Sequence, residues 1–166
     1  MGIRKLPAEN GLRSHEQLFW SIRGIHTLLD AIHGTWADRL GVTTSQLLMV
    51  FALRDFDDQG AGLRVKEVAT LLSVDATCIT TQSKLLEANG FINRNASSED
   101  GRVVRLSLTD KALKQLADLS TRQKKINDYI FSEFTDPGLQ AFVTKVLAVK
   151  NKMEKASAIA LIGLDD

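Results

Sequence analysis

The sequence predicts a mainly α-helical fold with one small β-hairpin, and three observations carry that expectation. Between Leu63 and Gly90, apolar residues recur at three- and four-residue steps in two short runs separated by a turn at Ser73 and Val74. From Phe91 to Leu108, two strand-like runs flank a polar, turn-rich loop. On either side of this middle stretch the chain carries long apolar stripes of helical period. Two helices, a tight turn and a two-stranded hairpin make a winged helix-turn-helix head, here with long N- and C-terminal helices.

Residues 1–13 contain Pro7, Asn10 and Gly11 without a lasting period and are expected to form an N-terminal arm. From Ser14 the pattern turns helical: Leu18, Ile22, Ile25, Leu29, Ile32 and Trp36 form a stripe, and Ser14 with Gln17 offers a capping box. Phe19, His26 and His33 add a second edge, so this helix is expected to lie buried between two surfaces. Gly34 and Gly41 bracket its end and give bounds of 14–36. Thr43 with Gln46 is a second capping box, Val42 can staple to Leu47, and Leu47, Leu48, Phe51 and Ala52 continue the apolar face. Asp55, Asp57 and Asp58 look like a calcium loop, but the glycine and closing glutamate of that motif are missing. A solvated helix end is the better reading.

In the head, Val65, Val68, Ala69 and Leu72 form the inner face of a first short helix while Lys66 and Glu67 look outward. Asp75 caps the second helix, Ile79, Ser83 and Leu86 face inward, and Gly90 ends it. Thr77, Thr80, Thr81 and Lys84 are left on its free side. In the hairpin, Val104, Leu106 and Leu108 alternate with Arg105 and Ser107, and Arg102 stands at the exit of the loop. Thr109 then caps a long helix with the stripe Leu113, Leu116, Leu119, Gln123, Ile126 and Ile130, running to about Phe134. That exceeds the usual helix of about eleven residues and implies support from outside a small domain. Asp136 is expected to cap the last helix with Pro137 at its first position. This helix carries Leu139, Phe142, Val143, Val146, Leu147, Val149 and Met153, and an apolar tail follows from Ala156 to Leu164. Exposed, such a tail would be an aggregation liability, so burial against a second copy is expected. Residues 14–36 and 109–166 are thus read as dimerisation helices around a 43–108 head, paired across a twofold axis.

The 166 residues suffice for one folding unit with a real core, and a charged fraction of 25% is ordinary for a globular protein. No apolar run reaches membrane-spanning length and no secretory signal opens the chain, so a cytoplasmic location without membrane attachment is expected. Cys78 is the one cysteine, which excludes an internal disulfide. The net charge of +1 argues mildly against nucleic acid as a partner. Between Ala61 and Lys111 there are seven Lys or Arg against six Asp or Glu, so any electrostatic footprint must come from placement.

The run from Val68 to Asp75, the run from Leu86 to Ile92, and Asp100, Gly101 and Arg102 followed by Leu106, Ser107, Leu108 and Thr109 resemble the MarR family of bacterial transcription regulators. The resemblance covers Thr43 to Lys111 well and the flanking helices in layout. It implies a homodimer, usually a repressor, that binds a palindromic double-stranded DNA operator, with the second helix in the major groove and the wing arginine in the minor groove. It also implies release by a small aromatic or phenolic effector bound between the dimerisation helices and the head. On this chain the DNA-binding set is Thr77, Thr80, Thr81, Lys84, Arg102 and Arg105, with Asp100 orienting Arg102 through a charge-assisted bond. The effector set is Phe19, Trp20, Arg23, His26, His33, Met49 and Phe51, aromatic walls and a polar handle suited to an aromatic carboxylate or its thioester. The same residues serve equally well as dimer core. No catalytic residue, cofactor or metal is expected. Gln82 and Ser83 stand where relatives commonly carry bulky apolar residues, Gly101 replaces a frequent arginine, and Cys78 lies inside the groove helix.

Two further classes compete. An enzyme is disfavoured because no nucleophile elbow, phosphate loop, dinucleotide fingerprint or zinc-protease motif occurs, and the histidines lie far in sequence from Cys78. A winged-helix module binding a protein instead of an operator is the stronger alternative. Steep salt dependence would separate DNA binding from it.

Overall fold

The computed structural model describes residues 13–57, 60–97 and 100–162. Residues 1–12 of the predicted arm over 1–13, and residues 163–166, which include the end of the apolar tail, lie outside the described residues. Helices α1 (Ser14–Leu40) and α2 (Thr44–Phe56) precede strand β1 (Leu63–Arg64) and helices α3 (Val65–Leu72) and α4 (Ala76–Ala88). Strands β2 (Ile92–Ala96) and β3 (Val104–Leu108) follow, then helices α5 (Asp110–Ile130) and α6 (Asp136–Ile162).

Helix α1 runs straight through Gly34, which corrects the predicted end at residue 36. A single helical glycine costs only about 1 kcal/mol relative to alanine, too little to stop a helix supported on both sides. The stop falls at Gly41, whose left-handed backbone (φ 67°) returns its N–H to Asp38 and the Val42 N–H to Ala37. At the other end Glu16, not Gln17, does the capping. Its carboxylate accepts from the Arg13 backbone N–H at 2.8 Å and pairs with the Arg13 guanidinium at 2.9 Å, which holds the carboxyl below the usual glutamate range.

The α2 capping box forms as expected. Thr43 Oγ1 accepts from Gln46 N–H at 3.2 Å and Gln46 Oε1 from Thr43 N–H at 3.1 Å. Thr43→Ala is expected to destabilise the protein by about 1 kcal/mol in denaturant unfolding; no change would mean that Gln46 alone caps the helix. Leu47, Met49, Val50, Phe51, Ala52 and Leu53 of α2 are all buried, as a helix apolar around its circumference should be. Val68, Ile79, Leu86, Ile92 and Leu106 from the following elements complete this core.

The sheet holds three strands in the order β1-β3-β2, one more than the predicted hairpin. Leu63 pairs antiparallel with Leu106, and Arg64 with Arg105. The acidic run explains the extra strand. Asp57 accepts the Gly62 N–H at 3.1 Å and so turns the chain onto the edge of β3.

Thr109 Oγ1 accepts from Ala112 N–H at 3.2 Å, so α5 begins where predicted. Its buried face starts with Ala112 instead of Leu113, which is half exposed, and continues through Leu116 and Leu119. The helix stops at Ile130, short of Phe134. Helix α6 is capped by Thr135, whose Oγ1 accepts the Gly138 N–H at 3.3 Å, in place of Asp136. Phe131, Phe134 and Phe142 stack around this connection, with ring centroids 6.3 and 5.5 Å apart. Two compact units divide within α5, between Ala117 and Asp118. Each bears exposed apolar side chains: Leu18, Ile22, Ile25 and Leu29 on α1, and Phe142, Val146, Leu147 and Met153 on α6. Among the described residues, no helix is long and apolar enough to cross a membrane.

Candidate nucleic-acid interface

Helix α3 ends on Ser73, which takes the left-handed conformation (φ 54°) and lets the Val74 N–H return to Ala69 at 3.0 Å. That tight turn sets α4 against α3 and α2. The Asp75 carboxylate caps α4 by accepting from the Thr77 N–H at 2.7 Å and from the Thr77 hydroxyl, bonds that hold its carboxyl below the ordinary aspartate range. Ile79, Ser83 and Leu86 are the buried face of α4, as the spacing predicts.

With that face inward, Thr77, Thr81 and Lys84 are exposed and Thr80 is half-buried. Thr80 donates to Ala76 O at 2.9 Å and Thr81 to Thr77 O at 3.0 Å. A threonine that spends its proton this way turns lone pairs and a methyl outward. It can then accept from the amino group of adenine or cytosine and touch a thymine methyl, a set of contacts found in the major groove. Thr77, held by Asp75, is placed the same way. Cys78 is exposed on the same helix.

Gln82 and Ser83, the two polar departures, are both hydrogen-bonded. Gln82 Oε1 accepts from Gln46 Nε2 at 3.0 Å, and the Ser83 hydroxyl donates to Thr80 O at 3.1 Å while accepting from Arg94. These bonds tie α4 to α2 and to β2. At its far end α4 meets the start of α5. Lys111 Nζ donates to Asn89 O at 2.7 Å, a cation at a helix C-terminus, and Thr109 Oγ1 donates to Gly90 O at 2.8 Å.

In the wing, Asp100 accepts from the Arg102 backbone N–H at 2.9 Å. Asp100 thus shapes the turn and does not make the expected charge-assisted bond to the Arg102 guanidinium, because an aspartate two residues ahead reaches the main chain first. Arg102 itself is exposed. Arg105 is half-buried, and its guanidinium donates to Gly62 O at 2.8 Å, joining β3 to the turn before β1.

The effector candidates fall into two groups. Phe19, Trp20, Arg23 and His26 are exposed on the first half of α1, where His26 lies 3.4 Å from Asp30. His33 contacts Trp36 and Phe51 (ring centroids 5.7 and 5.9 Å away), Phe51 is buried, and Met49 is fully buried in the core. Phe19 and His33 are fourteen positions apart, about 21 Å along the helix axis, so one protomer does not gather the seven residues into one cavity. Burial lowers the His33 pKa, partly opposed by Asp30. No cluster of His, Cys, Asp or Glu able to hold a metal occurs among the described residues.

Arg94 and Gln46 were missed as head-organising residues. Arg94 shares the period-two face of β2 with buried Ile92, and that spacing was the available signal.

A groove-sized helix beside a short sheet whose turn carries an exposed arginine defines a winged helix-turn-helix head. The MarR family model matches residues 43–104, the span from the α2 cap to β3. The chain is 28% identical over 113 residues to the transcriptional repressor MdtR of Bacillus subtilis, a match covering 67% of this chain and 70% of that protein. It superposes on a MarR/EmrR family regulator from Acinetobacter sp. ADP1 with a TM-score of 0.71 at 16% identity, covering 87% and 99% of the two chains. MepR of S. aureus, solved as a DNA complex, superposes with a TM-score of 0.70 at 13% identity, covering 85% and 99%. Over its head the chain is thus similar to the MarR family of transcriptional regulators.

Proposed function

We propose that this protein is a homodimeric transcriptional repressor that reads a palindromic operator with α4 in the major groove and Arg102 in the minor groove. The observation carrying this reading is the outward set of Thr77, Thr81 and Lys84 on α4 beside a wing that holds Arg102 free of the protein. The relative MdtR is a repressor, and the similar MepR fold has been solved on DNA, which supports the same use here. Residues 43–108 serve as the DNA-binding head, while 14–40 and 109–162 dimerise through the exposed apolar faces of α1 and α6. The effector is a small aromatic acid or its thioester. Phe19, Trp20, Arg23 and His26 supply walls and a handle, and a second chain supplies the rest of the site.

Selection of genomic fragments by the purified dimer, repeated at two salt concentrations and with pooled aromatic acids, tests the reading. Recovery of an imperfect palindrome with half-sites about one helical turn apart is expected, with release in one pool. Failure of the folded dimer to enrich any fragment at low salt would leave a protein partner as the target. Arg102→Ala is expected to weaken operator binding about tenfold with the fold intact, and to lower the salt slope by about one. An unchanged titration curve would remove Arg102 from the interface.

A further inference from the structure

The wing strand and the groove helix are joined by a largely buried arginine that is not among the proposed DNA contacts. The Arg94 side chain is only 13% exposed, although it lies on β2 among strands of few residues. Its guanidinium donates to the Ser83 hydroxyl and lies 3.5 Å from the Glu87 carboxylate. Both partners are on α4, one helical turn apart, and Ser83 is completely buried. The Ser83 hydroxyl gives its own proton to Thr80, the neighbour of Thr81 on the outer face, so its acceptor side is left for Arg94.

A withdrawn guanidinium is tolerated only with partners, and its planar fork demands them in fixed directions. An apolar pair filling the same space would hold α4 against β2 but leave it free to slide and rotate. The bonded arginine removes that freedom. Strand β2 pairs through its whole length with β3, from Ile92 against Leu108 to Ala96 against Val104, and the turn between them carries Arg102. Arg94 therefore connects the helix meant for one groove to the hairpin meant for the next.

We propose that Arg94 is a positioning residue for DNA recognition: by bonding Ser83 and Glu87 it locks α4 to the wing, so that both grooves are engaged in one geometry. The proposal rests on the operator-binding reading. Arg94 touches no DNA in this arrangement, because its guanidinium is turned toward the inner face of α4.

The test compares the wild-type dimer with Arg94→Met and Glu87→Gln, the latter an exposed change that spares the Ser83 bond should the former fold poorly. Amide hydrogen exchange without DNA is read first. Faster exchange in the second half of α4 and in β2, with α1 unchanged, is expected in both variants. Titrations of the operator and a scrambled duplex across salt concentrations follow, below the unfolding temperature of each protein. Arg94→Met should lose about tenfold in operator affinity, the equivalent of one charge-assisted hydrogen bond, with Glu87→Gln weaker in the same direction. Scrambled-duplex affinity and the salt slope should not move, since no phosphate contact is removed. Equal losses on both duplexes with a slope reduced by about one would make Arg94 a phosphate contact and overturn the proposal. Unchanged exchange in α4 and β2 overturns it as well, and does so even if the wild-type dimer retains no duplex, a result that would separately remove the operator reading.

Discussion

Gly62→Ala is expected to cost about 3 kcal/mol and to lower the unfolding temperature by about 10 °C at fixed protein concentration. Two independent effects add. The residue has φ 77°, where an L side chain is strained by about 1–2 kcal/mol. A Cβ there would also stand 2.9 Å from Leu106 O and 3.3 Å from Arg105 Cβ. Leu106 is the fully buried centre of the middle strand, so it cannot give way cheaply. The chain would have to withdraw instead, and that strains both bonds made by Gly62: its N–H to Asp57 and its carbonyl to Arg105. Strand β1 should peel from β3. A fall of less than about 2 °C in thermal unfolding would show that the Asp57 turn relaxes without loss and that β1 contributes little.

What was legible in the sequence was whatever is decided within one turn of chain. The Thr43 and Gln46 box, the Asp75 cap, the inner set of Ile79, Ser83 and Leu86, and the stop at Gly90 each depend on residues close in sequence, and each forms. Where two local candidates competed, neighbours decided. Glu16 outcompetes Gln17 because a charged carboxylate in the first turn also pairs with Arg13, and Thr135 reaches the amide that Asp136 was expected to serve. Long-range geometry was not legible. Strand β1 has two residues and no pattern of its own, and it exists because Asp57 and Arg105 hold Gly62 from opposite sides. For the same reason Arg105 reads as a free cation in sequence and is a bonded one in the fold. The seven effector candidates share chemistry, but helix rise and the α2 core divide them.

Ile25→Asp is expected to turn the dimer into a monomer and to lower operator affinity by about a hundredfold or more. Ile25 is 61% exposed in one protomer, the centre of a stripe with Leu18, Ile22 and Leu29 that a soluble monomer would have little reason to keep. An aspartate at an exposed helical site costs the isolated chain little, so circular dichroism should stay unchanged. In a dry interface the same carboxylate would be stripped of water without a partner, a loss no exchange of neighbouring apolar contacts restores. Each head would then have to find its half-site independently, without the effective concentration that linkage to a second head supplies. Sedimentation should report the mass of one chain, and titration of a half-site should match titration of the full operator. Persistence of the dimer with full operator affinity would move the interface away from this stripe, leaving the apolar face of α6 as the surface to alter next.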